Sequence, residues 1–277
     1  IAEKIQKLKT ENTFFTPISL LTKDETISKK EINNAVRNAT VAKVNIAQLN
    51  QITSGEMAFI ALKIPYQNQN ITIQLYRIDL FAGNFSVDTD QNKNIAYPKG
   101  VYYRGIIEGN QQSVASFSFF NGEFNGIFSS NELGNVVIGK IDKPNNINDY
   151  VIYTDADFLK TNDFKCHVKE STQTAPTSTL KRDVTTNKCV NFYFEIDYNL
   201  YQSNNSSTTT TLNWMTSVFN NVQTLFANDG ITVALNSVYI WTSPDVYQGI
   251  GTSSADYLYA FTENRPAING DVGMLVG

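Results

Sequence analysis

Val190-Asn-Phe-Tyr-Phe-Glu-Ile196 opens the part of the chain whose order of elements decides the fold. The run is short, apolar and rich in aromatic residues, the composition of a buried strand. Ser206 through Thr209 then offer helix caps ahead of an apolar stripe at Leu212, Met215, Phe219, Val222 and Phe226, spaced three and four apart as one helix face requires. Gly230 sits where such a helix should stop. Ile231-Thr-Val-Ala-Leu235 and Val238-Tyr-Ile-Trp241 follow as one long strand, whose apolar parity switches near Asn236 and Ser237 as a bulge would make it. A second helix, roughly 253–264, leads into Val272-Gly-Met-Leu-Val276. Strands alternating with helices predict parallel pairing through right-handed crossovers, so 189–277 reads as β-α-β-α-β. Such a unit leaves a strand edge and a helix face uncovered, so the expectation is the first half of a larger α/β domain that continues beyond Gly277.

Upstream the period changes. From Glu170 to Lys188 the chain turns to Ser, Thr, Pro and Lys with almost no large apolar residue, which predicts an exposed linker at 170–188. Residues 1–169 carry short alternating runs such as Ile71-Thr-Ile-Gln-Leu-Tyr-Arg-Ile78 and Ser113-Val-Ala-Ser-Phe-Ser-Phe-Phe120, the latter closed by Asn121-Gly122 as a hairpin turn. That predicts a mostly antiparallel β domain, in which the Tyr and Phe of residues 97–130 build a core in preference to a carbohydrate platform. A hydrophobic share of 42% with 17% charged residues is globular, and the net charge of −4 sets nucleic acid aside. No run approaches the roughly 20 apolar residues that span a bilayer. Abundant Asn and Thr, low charge and aromatic strands point to a secreted, extracellular setting. In the linker, Lys181-Arg182 is a candidate processing site, because polar linkers are where proteases reach a chain.

Two segments share one resemblance. Cys189 to Asp197, the long helix, the strand ending in Ile-Trp-Thr-Ser, Ser254-Ala-Asp-Tyr-Leu-Tyr-Ala-Phe261 and Asn269-Gly-Asp-Val-Gly-Met-Leu-Val-Gly277 together resemble the first half of a reprolysin/adamalysin-like zinc metallopeptidase domain of the metzincin type. Val101-Tyr-Tyr-Arg-Gly-Ile-Ile-Glu-Gly109, followed by Ser113-Val-Ala-Ser-Phe-Ser118 and 122–126, looks like the prodomain of the same family. The resemblance implies a two-part protein, with 1–169 a prodomain that packs on its own catalytic domain and 189–277 the N-terminal half of that domain. The family's zinc motif, His-Glu-X-X-His-X-X-Gly-X-X-His, is not in this sequence, whose one histidine is His167. It places two imidazoles one helical turn apart on zinc with a glutamate as base, and is expected beyond Gly277.

The family also suggests metal-binding residues. Cys166 lies just before the linker, where such prodomains carry a cysteine whose thiolate takes the open position on zinc. Its flanking residues depart from the commonest form of that switch motif. A Cys166–Cys189 disulfide and a buried or otherwise paired thiol remain competing fates. Asp271 falls where the family places a calcium-binding carboxylate, with Asn191 at the matching position on the first strand, and an aspartate capping the turn before the last strand is the other reading. Glu195 and Asp197 alternate on one strand face and read as solvated or helix-capping, not catalytic. The expectation is therefore a latent zinc metalloendopeptidase precursor acting on protein or peptide substrates, inactive as the given chain. The alternative is a non-catalytic extracellular β-rich module for adhesion or glycan binding.

Overall fold

The structure, a computed structural model, describes residues 1–30, 32–159 and 188–277 of the chain. In chain order its elements are α1 (Ala2–Thr10), β1 (Thr16–Ile18), β2 (Leu21–Lys23), β3 (Thr40–Val44), α2 (Ile46–Thr53), β4 (Phe59–Tyr66), β5 (Gln69–Ile78), β6 (Phe81–Thr89), β7 (Val101–Ile107), β8 (Val114–Phe120), β9 (Glu123–Ser130), β10 (Gly134–Lys140) and β11 (Asp149–Thr154). After these come β12 (Val190–Ile196), α3 (Tyr198–Ser203), α4 (Thr208–Asn228), β13 (Val233–Ile240), α5 (Ser254–Asn264) and β14 (Val272–Val276). The described residues form two compact units, and neither is one continuous stretch. The larger takes 1–80, 98–159 and 212–230; the smaller takes 81–97, 188–211 and 231–277.

The larger unit is built on a ten-stranded sheet in the order β1-β4-β5-β7-β8-β9-β10-β11-β3-β2. Its pairings are antiparallel except β1 with β4. Strand alternation sends Tyr103, Phe117, Phe119, Phe124 and Phe128 into one buried core. Each such ring contributes roughly 2–3 kcal/mol by leaving water. Gly126 makes room for one of them, since a Cβ there would come within 2.4 Å of the Phe117 ring. The Asn121-Gly122 turn joins β8 to β9, with Gly122 at φ 78°. These five aromatic residues of 97–130 thus serve the core.

The opposite face of β7–β9 carries Arg104, Ser116, Ser118 and Asn125, and α4 lies on it. Serines at alternate positions of β8 leave space for a helix to come close. Asn220 Nδ2 donates to Phe117 O at 2.9 Å and Ser118 Oγ at 3.0 Å, and Asn125 Nδ2 donates to Ser217 Oγ at 2.9 Å. The Arg104 guanidinium donates to Gln223 Oε1 and, at 3.4 Å, to the Gln223 carbonyl. Four buried atoms of this seam have no hydrogen-bond partner: Arg104 Nε, Ser116 Oγ, Asn220 Oδ1 and Thr224 Oγ1. Leu212, Met215 and Phe219 of the expected apolar stripe are buried. Gly230 ends the helix at φ 77°, as its position in the sequence suggested.

The smaller unit holds a four-stranded sheet in the order β14-β12-β13-β6, parallel throughout. The bulge falls at Asn236, where β13 gains a residue between Leu235 and Ser237. Asn236 Nδ2 and Ser237 Oγ both donate to Asn269 O, at 2.8 and 2.9 Å, so the bulge anchors the turn before β14. Ser253 and Asp256 form a capping box at the start of α5. Helix α3 had no sequence signal beyond Asp197, whose side chain caps it at Leu200 N, 2.7 Å. The antiparallel pattern expected of 1–169 does not extend to β6, which runs parallel to β13. Its register jumps from Phe81 opposite Leu235 to Ser86 opposite Ser237, so alternation over 81–89 is broken by an irregular stretch.

Candidate functional site

Within the apolar run of β12 stands one acid, Glu195, and it is 0% exposed. A carboxylate taken out of water needs its oxygens satisfied, because an unpaired buried charge costs several kcal/mol. Four side chains meet that need. Tyr193 Oη donates to Oε2 at 2.8 Å, Trp241 Nε1 to Oε1 at 2.7 Å, Tyr247 Oη to Oε1 at 2.9 Å, and Arg265 Nε to Oε2. The Arg265 guanidinium also sits over the Tyr239 ring, 4.2 Å from its centre. Burial and the Glu195 charge both push the Tyr193 and Tyr247 hydroxyls above their ordinary value. Burial works to lower Arg265, but its hydrogen bond to Glu195 and that carboxylate's charge more than offset it. The cluster ties the C-terminal end of β12 to the end of β13, the following loop and the C-terminus of α5. It orders the site's frame and presents no nucleophile.

The residues after Trp241 serve a second anchor. Asp90, just past β6, accepts from Thr242 N at 2.8 Å, Thr242 Oγ1 at 2.6 Å and Ser243 Oγ. Burial pushes its carboxyl up, yet these hydrogen bonds outweigh it and hold the group well below the usual carboxylate range. Asp245 similarly accepts from Tyr198 N and Tyr247 N, both at 2.7 Å. The whole Ile-Trp-Thr-Ser segment is therefore occupied in holding the ends of parallel strands together.

Asp271 and Asn191 are brought together at the opposite end of the sheet. Asn191 N donates to Asp271 Oδ2 at 2.8 Å, and Asp271 N donates to Asn191 O at 2.7 Å. This is the geometry of a cap at the start of β14. The Cys189 thiol nearby is exposed and lies above its ordinary pKa through partial burial and the Asp271 charge, which disfavours a reactive thiolate. Cys166, His167, Lys181 and Arg182 lie outside the described residues, as does the 170–188 stretch apart from Lys188. Among the described residues no group of three or more His, Cys, Asp or Glu is placed to hold a metal ion, so they do not fit a zinc site.

Of the two carboxylates read as solvated or helix-capping, Asp197 caps α3. Glu195 is neither solvated nor a cap. Its signal was available: an acid in an otherwise apolar strand requires several buried donors, and Tyr193 stands two residues away on the same face.

Residues 188–269 match the model of the reprolysin (M12B) family zinc metalloprotease. This segment is reprolysin-like and supports a metalloprotease, a zinc-dependent class acting on protein substrates. The match covers β12, α3, α4, β13 and α5, and ends two residues before Asp271. None of the curated proteins matches the chain. Among the described residues no helix is long and apolar enough to cross a membrane.

Proposed function

We propose that the chain is the precursor part of a secreted zinc metalloendopeptidase, with 1–169 acting as prodomain and 189–277 as the first half of the catalytic domain. The observation that carries this reading is the reprolysin match over 188–269, lying on parallel strands joined by helices. Cys166 serves as the latency ligand, its thiolate taking the position on zinc that water needs for hydrolysis. Cleavage within 170–188, with Lys181-Arg182 as one site, relieves it. A calcium ion at Asp271 and Asn191 would need most of its oxygen shell from elsewhere, because the Asp271 carboxylate already caps β14.

The test has two parts. The chain alone, incubated with casein and zinc and then dialysed, is expected to show no turnover and no stoichiometric zinc. In a complete protein carrying the zinc helix, Cys166→Ala is expected to raise activity of the uncleaved precursor and leave the processed enzyme unchanged. Stoichiometric zinc on the chain alone, or a Cys166→Ala precursor as latent as the parent, overturns the reading.

A further inference from the structure

The two stretches on either side of 160–187 exchange elements. The earlier stretch supplies β6 to the smaller unit, whose other strands all come from the later one. The later stretch supplies α4, beyond its first turn, to the larger unit, whose sheet comes wholly from the earlier one. We propose that a single cut between Leu159 and Lys188 does not separate the two stretches, and that the outer edge of β13 is a strand-acceptor site which keeps β6 as a non-covalent subunit of the cut protein. The inference builds on the linker-cleavage reading above, but its geometry stands without it.

Three features make β6 a built-in occupant of that edge. The ladder pairs Ser86, Val87, Asp88 and Thr89 with Ser237, Val238, Tyr239 and Ile240, so main-chain hydrogen bonds provide the affinity of an added strand. Val87 and Thr89 are buried. Past the strand, Asp90 fixes register by gripping Thr242 and Ser243, and the chain folds back with Ile95 N donating to Val87 O at 2.8 Å. At the other crossing, α4 is held by its buried stripe and by the Asn220, Asn125 and Arg104 hydrogen bonds. Separation requires both crossings to open together, and a bivalent contact of this kind outlasts either half alone. Release of the earlier stretch then requires stripping β6 from β13 or a further cut beside it.

The test uses the full chain with a specific protease site inserted between Ala175 and Pro176, cut after folding and passed over a sizing column under native conditions at about 1 μM, where only a tight complex survives. The expected result is co-elution of both pieces, with separation only in denaturant. Elution of two separate pieces overturns the proposal. The Asp90→Ala variant should shorten the lifetime of the cut complex by roughly ten-fold, the change that 1.4 kcal/mol makes. A lifetime equal to that of the parent overturns the role of the β6 anchor. Hydrogen exchange on the uncut chain is a second readout: amides of 86–89 should share the protection of β12 and β13, and exchange of those amides independently of that sheet counts against β6 as an integral strand. Separation of the pieces would leave the metalloprotease reading intact, since that rests on the family match. Failure of the Cys166→Ala test would likewise leave co-elution unaffected.

Discussion

Glu195 and the seam under α4 are both buried polar clusters, but they are finished to different degrees. Around Glu195 both carboxylate oxygens accept two hydrogen bonds, and Arg265 Nη2 is the atom left without a partner. Under α4, hydrogen bonds from Asn220, Asn125 and Arg104 alternate with four buried atoms that have none. A satisfied buried charge cannot be dismantled one residue at a time, because each removal strands the rest. A seam in which bonds and orphans nearly balance contributes little net stability per residue, and packing must hold it. The first construction suits a permanent frame and the second suits a contact made between separate stretches of chain.

The comparison breaks most readily at Arg265. Replacing it with Ala leaves Glu195 buried without its cation, and the expected loss is about 3–5 kcal/mol in stability of the smaller unit. The lower end is favoured because the Arg265 side chain is 26% exposed, so water can reach the gap. Urea denaturation with segment-resolved hydrogen exchange checks it. A loss under about 1 kcal/mol would mean that the Tyr and Trp donors alone sustain the carboxylate, and that the frame is no more closed than the seam.

The seam should respond in two directions. Asn220→Ala removes donors to Phe117 O and Ser118 Oγ and is expected to cost about 1–2 kcal/mol. Ser116→Ala and Thr224→Val remove hydroxyl oxygens that have no partner, and are expected to be neutral or stabilising by up to ~1 kcal/mol. Calorimetric melts of the three variants decide this. Losses of similar size in all three would show a fully satisfied network, contrary to the contrast drawn with Glu195.

Much of the fold was legible where local pattern and burial agree. The stripe at Leu212, Met215 and Phe219, the stop at Gly230, the bulge near Asn236 and the strands at 190–196 and 272–276 all follow from period and turn chemistry. The exchange was not legible. Nothing local in Phe81-Ala-Gly-Asn-Phe-Ser-Val-Asp-Thr89 distinguishes a strand that pairs with β7 from one that pairs with β13, since the partner of a strand is a tertiary choice. Helix α4 hid its second role for a related reason. Its apolar stripe could be read by spacing, whereas Thr216, Ser217, Asn220 and Gln223 look like a solvated face until a sheet of serines covers them. The Glu195 cluster was half legible, because the acid was visible and its donors were scattered from Tyr193 to Arg265.

The smallest effect expected is one of pH, and it separates the units by carboxylates. Asp90 is held below the usual range by the hydroxyls and amide of Thr242 and Ser243, against the opposing effect of burial. Asp24, in the larger unit, is lowered first by its hydrogen bond to Lys43 and then by Thr26. For a carboxyl lowered in the folded state, the unfolded chain binds more protons between the two pKa values, so stability rises with pH there. The contribution is complete above the ordinary aspartate value of about 3.9 and is lost as pH falls through the folded one. Asp197 has the opposite sign: burial raises it first, with Asp245 adding to the rise, so acid relieves a cost there. A global melt would mix the three, and a local readout is needed. Exchange of amides 86–89 should accelerate as pH falls below about 4, after correction for intrinsic rates, and Asp90→Asn should flatten that dependence. Asp24→Asn should leave it unchanged. If Asp24→Asn flattens it equally, β6 is held by the stability of the larger unit and not by its grip on β13.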